Sequence, residues 1–132
     1  MKALIVDDDL TTRIVLQETL SRYGEVHTCV DGTEAVQACV SALDQGKPYD
    51  LICLDILMPT MGGLEALRLI REEERRGGSP PRAKVIVATS SNDTGTITKA
   101  FSELCDAYIV KPIDAAELLN LVYCLCPIQA VD

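Results

Sequence analysis

The sequence predicts an α/β domain built on a doubly wound, five-stranded parallel sheet in the order 2-1-3-4-5. Two observations lead there. Four short apolar runs lack polar alternation, which is how a strand buried on both faces reads, and a fifth, more polar strand lies at 25–30. Stretches with helical periodicity follow them, so a β-α unit repeats five times across the chain, and such alternation implies a parallel sheet with helices on both faces. Right-handed crossovers leave few topologies, and 2-1-3-4-5 is one of the common orders.

The first run is Ala3-Leu4-Ile5-Val6, which ends in Asp7-Asp8-Asp9. Ile14, Leu16 and Leu20 then recur at helical spacing, with Thr11 or Asp9 as the cap, and the helix stops near Tyr23-Gly24. Glu25 to Val30 reads as the second strand. Asp31-Gly32-Thr33-Glu34 has the spacing of a capping box and opens a helix to about Leu43, which Gly46-Lys47-Pro48 breaks. Leu51-Ile52-Cys53-Leu54-Asp55 is the third strand, apolar until its last residue. The loop from Met58 to Gly63 leads into a helix carrying Leu64, Leu67 and Ile70, which ends in a charge run, Arg71 to Arg76, read as solvated. Val85 to Thr89 is strand four, and the polar stretch from Ser90 to Thr98 enters a helix to about Leu104. Tyr108-Ile109-Val110 is strand five, followed by Lys111-Pro112. Asp114-Ala115-Ala116-Glu117, a second capping box, opens the last helix, which Pro127 ends. One domain over 1–126 and a short tail over 127–132 account for the chain, with Met1 immediately before the first strand as in a stand-alone protein.

Composition narrows the function classes. At 132 residues with 48% hydrophobic content the chain can bury a core without disulfide or metal staples. A net charge of -8 argues against a nucleic-acid groove. No apolar run approaches the ~20 residues that span a bilayer, and no signal-peptide pattern precedes the first strand, so the expected compartment is the cytoplasm. Cys29, Cys39, Cys53, Cys105, Cys124 and Cys126 show no zinc-ligand spacing and read as free thiols packed as small hydrophobes. His27, the only histidine, reads as a strand-surface residue. No phosphate-binding G-x-x-x-x-G-K-[ST] occurs, so ATP binding is not expected.

In such a sheet, ligands gather outside the carboxyl ends of the strands. Strand one ends in Asp7 and Asp8, strand three in Asp55, strand four in Thr89 and strand five in Lys111. The topology brings these three carboxylates, a hydroxyl and an ammonium to one edge. Three close carboxylates repel unless a cation neutralises them. Oxygen-only ligands favour magnesium, which commonly binds one or two carboxylates plus phosphate oxygens. A remaining carboxylate is then free to act as a nucleophile that forms an aspartyl-phosphate. Lys111 and Thr89 can each hold a phosphoryl oxygen, the first as a point charge and the second as a hydroxyl donor.

Over essentially its whole length the chain resembles a response-regulator receiver domain of two-component signalling, which has a flavodoxin-like fold. The resemblance is carried by Val6-Asp7-Asp8, by Asp55 with Met58-Pro59-x-Met61-x-Gly63, by Thr89, and by Tyr108-x-Val110-Lys111-Pro112. It implies that Asp55 accepts a phosphoryl group from a phosphohistidine on a sensor histidine kinase or a histidine phosphotransfer protein. Asp7, Asp8, Asp55 and the backbone carbonyl of Leu57 would hold Mg2+. Lys111, beside a cis bond to Pro112, would contact the phosphoryl group. Thr89 would move toward it and Tyr108 would turn inward, altering the face offered to a downstream target protein. The implied protein is a signalling phosphoacceptor rather than a turnover enzyme, a monomer or weak dimer, with no direct contact to nucleic acid.

One departure from the family pattern lies before strand five, where Leu104-Cys105 stands in place of Gly-Ala. A rival reading is a phosphatase or phosphotransferase resembling the haloacid dehalogenases. Such enzymes carry D-x-D and the nucleophile on the first strand, whereas this chain has Asp7-Asp8 there and a lone Asp55 on the third. Within the switch reading, a stand-alone regulator, a relay intermediate and a fragment of a larger protein all fit.

The two positions that tune phosphoryl lifetime in this family correspond to Leu57 and Ser91. An apolar Leu57 cannot hydrogen-bond an attacking water, so hydrolysis of the aspartyl-phosphate is not expected to be specially fast. Phosphoryl half-life in the native chain should equal or exceed that in Leu57→Asn; a shorter native half-life would refute the reading.

Overall fold

The computed structural model describes residues 1–56, 61–77, 82–89 and 104–126. Its strands are β1 (Lys2–Val6), β2 (Glu25–Cys29), β3 (Leu51–Asp55), β4 (Lys84–Thr89) and β5 (Ala107–Val110). Its helices are α1 (Leu10–Leu20), α2 (Gly32–Asp44), α3 (Gly63–Arg76) and α4 (Ala115–Leu125), with a short 3-10 turn at Ser21–Tyr23. The five strands form one sheet in the order β2-β1-β3-β4-β5, every pairing parallel, as expected. Leu57, Ser91, the helix expected ahead of Leu104 and the tail over 127–132 lie outside the described residues.

Alternate strand residues face opposite sides of the sheet, and each side has its own core. Leu4, Val6, Ile52, Leu54, Val85 and Val87 pack against Ala35 and Cys39 of α2 and Leu67 and Ile70 of α3. Ala3, Ile5, Cys53, Ile86 and Ile109 pack against Leu16 and Leu20 of α1 and Leu118 and Val122 of α4. Burial on both faces is why β1, β3 and β4 read as unbroken apolar runs, while the edge strands β2 and β5 are partly exposed.

Helix starts follow local side-chain chemistry. Asp9 caps α1, accepting from the Thr12 amide at 3.1 Å and the Thr12 hydroxyl at 2.6 Å, so the cap is Asp9 rather than Thr11. Asp31 accepts from the Glu34 amide at 2.9 Å, and Glu34 returns a bond to the Val30 amide at 3.1 Å, one residue earlier than a standard capping box. Asp114 accepts from the amides of Ala116 and Glu117 and opens α4. At the start of α3 a glycine is required by proximity. A Cβ on Gly63 would collide with the Asp55 carbonyl oxygen, and the Gly63 amide donates to the Ile56 carbonyl at 3.0 Å. Gly63 therefore lets α3 begin directly against the end of β3.

Arg71 corrects the expectation of a solvated charge run at the end of α3. It is only 4% exposed. Its Nε donates to the Leu104 carbonyl at 3.0 Å, and its Nη1 to the Ala83 carbonyl at 2.7 Å and to Glu74 at 2.8 Å. Its Nη2 lies 3.3 Å from Asp106, whose carboxylate also accepts from Arg82 and from the Val85 amide. The cause is helical period. Arg71 follows Leu67 by four residues and so lies on the buried stripe, not the wet one. Its bond to Leu104 is to the backbone carbonyl, which any residue at that position supplies, while Asp106 is held through its side chain.

The thiols sit largely where the sequence put them. Cys29, Cys39 and Cys53 are buried, Cys105 and Cys126 are half-buried and Cys124 is exposed. Burial pushes Cys29 up from 9.0 to about 11, and Cys39 and Cys53 to about 12, so these three stay protonated and act as packing groups rather than nucleophiles. His27 is exposed on β2, with Nδ1 2.6 Å from the Tyr49 hydroxyl.

Replacing Arg71 by Met leaves Asp106 and Glu74 without their buried cation, so Arg71→Met should lower unfolding free energy by about 3–5 kcal/mol. Urea denaturation measures it. A loss no larger than the ~1 kcal/mol of an exposed pair would mean that the network is not energetically buried.

Candidate functional site

Strand register places the polar residues. Val6 pairs with Leu54, so Asp7 and Asp55 are the next step on two adjacent strands. Asp55 pairs with Ala88, so Thr89 lies one step beyond, and Thr89 pairs with Val110, so Lys111 lies one step beyond that. The carboxyl edge therefore carries Asp7, Asp55, Thr89 and Lys111 along β1, β3, β4 and β5, as the strand endings predict. Strands sit about 4.8 Å apart, so Lys111 must reach across β4 to meet the acidic residues. Its long side chain does so. Its Nζ is 3.0 Å from Asp7 Oδ2 and 3.3 Å from Asp55 Oδ1. The Lys111–Pro112 peptide bond is cis.

Asp7 is 1% exposed and Asp55 6%. Asp7 is fastened on three sides. Its amide donates to the Cys29 carbonyl at 3.2 Å, its Oδ1 accepts from the Asp9 amide at 2.9 Å, and its carbonyl accepts from Arg13 Nη1 at 2.8 Å. Its Oδ2 is different. It is fully buried, and the contact found for it is the ion pair with the Lys111 ammonium at 3.0 Å. Asp8 is exposed beside it, and one oxygen from each of Asp7, Asp8 and Asp55 lies within 4.8 Å of the others. Three carboxylates against one ammonium leave an excess of negative charge. A divalent cation with oxygen ligands fits both that excess and the buried Oδ2. Among the described residues this is the only cluster of such ligands.

Burial alone would lower the Lys111 pKa, but the close approach to Asp7 and the attraction of Asp55 more than offset it, and the value is raised above 10.5. The ammonium is therefore charged at neutral pH.

Thr89 is buried at the end of β4 and Tyr108 is half-exposed on β5. Leu57 and Ser91, named from the sequence for cation binding and phosphoryl lifetime, lie outside the described residues. Arg13 went unnoticed in the sequence. Side chains on a helix lean toward its amino end, so an arginine four residues after the Asp9 cap reaches back to the strand end; the spacing alone could have shown it.

The fold and this edge define a class: a doubly wound α/β domain whose strand tips hold a buried, cation-ready acidic cleft beside a lysine. A family model described as the response regulator receiver domain matches residues 3–123, and the chain belongs to that family. It is 35% identical over 122 residues to the chemotaxis protein CheY of Listeria monocytogenes, covering 91% of this chain and 93% of that protein. It is 33% identical over 125 residues to hybrid signal transduction histidine kinase G of Dictyostelium discoideum, covering 92% of this chain but 3% of the kinase. Across five histidine-kinase relatives the chain spans 3% to 13% of their length. Among solved structures, the receiver domain of the histidine kinase CKI1 from Arabidopsis thaliana, complexed with Mg2+ and BeF3-, superposes with a TM-score of 0.80 at 31% identity, covering 94% of this chain and 88% of that one.

The raised pKa gives a signed pH dependence. A lysine whose folded pKa exceeds its unfolded value contributes stability that is complete below pH ~10.5 and is lost as pH rises through the folded value. The stability difference between wild type and Lys111→Met should therefore be flat from neutral pH to about 9.5 and shift against the wild type above that. Urea midpoints against pH measure it; a difference that stays constant past pH ~11 would remove the ion contacts from the account.

Proposed function

We propose that this chain is a phosphoacceptor switch: Asp55 takes a phosphoryl group from a phosphohistidine on a sensor histidine kinase or histidine phosphotransfer protein. The observation that carries the reading is Lys111 Nζ held 3.3 Å from Asp55 Oδ1 and 3.0 Å from Asp7 Oδ2, beside carboxylates that fit a divalent cation. An Asp55 oxygen forms the new P–O bond as the P–N bond breaks, and the released imidazole is left to take a proton from water. Burial strips water from the Asp55 carboxylate, and Lys111 then meets the charge carried by the transferred oxygens. Thr89 supplies a hydroxyl donor from the end of the neighbouring strand. Asp7, Asp8 and Asp55, with the Leu57 carbonyl, would hold Mg2+, which neutralises negative charge on the phosphoryl oxygens. Catalysis here is positioning of the chain's own acceptor, not turnover of an external substrate. Tyr108, half-exposed on β5, is the side chain that reports the switch, moving with Thr89 to change the face a downstream protein meets.

Among the described residues no helix is long and apolar enough to cross a membrane. A cytoplasmic site of action suits the acidic surface, the free thiols and a kinase donor. Residues 1–126 would form the receiver unit, either alone or within a relay.

Incubation with acetyl phosphate and Mg2+, followed by intact-mass measurement, should yield one phosphoryl adduct that is absent with EDTA and absent in Asp55→Asn. An adduct that persists in Asp55→Asn would overturn the assignment of the acceptor.

A further inference from the structure

We infer that Arg13 is a positioning residue for the cation site, acting through the Asp7–Asp8 peptide to place the Asp8 carboxylate. This rests on the Mg2+ reading above. The starting observation is the 2.8 Å hydrogen bond from Arg13 Nη1 to the Asp7 carbonyl. Arg13 is only half-buried and could have extended into water with the other polar side chains of α1. It turns back to the strand end instead.

A peptide unit is planar, so fixing the Asp7 carbonyl also fixes the Asp8 amide and the direction in which the Asp8 Cα leaves the strand. The remaining bonds around this turn make the effect local. The Asp7 amide is held by Cys29, and Asp7 Oδ1 by the Asp9 amide. Asp7 is therefore anchored even without Arg13. Asp8 is not in the same position. It is exposed, on the turn between β1 and α1, and no packing sets its side chain. Its carboxylate nevertheless shares the 4.8 Å cluster with Asp7 and Asp55. What holds it there is the backbone, and Arg13 is the side chain that holds that backbone from α1. Partners that orient a metal ligand typically contribute 10–100-fold to metal affinity.

The test compares wild type, Arg13→Leu, Arg13→Lys, Asp8→Asn and the Arg13→Leu/Asp8→Asn double variant. The readouts are the Mg2+ dissociation constant by calorimetry and the melting temperature in EDTA and in Mg2+. Arg13→Leu should weaken Mg2+ binding roughly tenfold. It should shrink the Mg2+-induced rise in melting temperature while leaving the melt in EDTA near wild type. Arg13→Lys, which can still reach the carbonyl with one donor, should recover most of the affinity. In the Asp8→Asn background, Arg13→Leu should have little further effect, because residues acting through one another are not additive. Wild-type affinity in Arg13→Leu overturns the inference. So does an undiminished Arg13→Leu effect in the Asp8→Asn background, which would trace it to Asp7 or to the fold. Failure of the wild-type chain to bind Mg2+ overturns the phosphoacceptor reading itself, and this inference with it.

Discussion

The arrangement at the carboxyl edge depends on one shared ammonium. Asp7 and Asp55 are both buried, and both approach Lys111 Nζ. Two carboxylates removed from water repel each other, and an unpaired buried charge costs several kcal/mol. Lysine suits this place because its charge is compact and sits on a long stem that can cross a strand. One ammonium still does not balance three carboxylates. The edge is therefore stable enough to fold yet left with a charge deficit that a divalent cation or a phosphoryl group and cation together would relieve.

The opposite end of the sheet follows a different rule. There Arg71 joins α3 to the start of β4 through Ala83 and to the turn before β5 through Leu104 and Asp106. Glu74 and Asp106 each also accept a backbone amide, so the guanidinium and both acids are bonded on several sides. Charge is matched and donors are used. A network of that kind stiffens the frame, because each group would be left unpaired by any displacement. The two ends of β4 and β5 thus differ in kind. One is clamped by a complete network. The other carries Thr89, Tyr108 and Lys111 beside three clustered carboxylates, which is where a bound group has leverage.

The relatives place this domain in two settings. The chain covers nearly all of a chemotaxis protein and a small share of a hybrid kinase. Both matches cover more than nine-tenths of this chain, so the likeness extends over the whole sheet and is not confined to one motif. The turn at Leu104-Cys105, which departs from the family's Gly-Ala, shows how local substitution is absorbed. Arg71 holds Leu104 by a main-chain carbonyl, which every residue type supplies, and the acid it needs is at Asp106, outside the substituted pair.

The sequence alone determined the sheet order, the strand limits to within one residue and the identity of the edge residues. Strands buried on both faces must be unbroken apolar runs, so their polar ends stand out, and parallel topology sends those ends to one side. It also determined two of the helix caps, because Asp31 and Asp114 act within a single turn of chain. Tertiary structure decided what depends on distance between segments. Arg71 belonged to a charge run by composition; its place four residues after Leu67 turned it inward, and the packing of α3 against β4 and the turn before β5 supplied its partners. Which Asp7 oxygen meets Lys111, and how closely Lys111 meets Asp55, follow from strand twist and side-chain reach across three strands. Those quantities are set in space and have no counterpart in spacing along the chain.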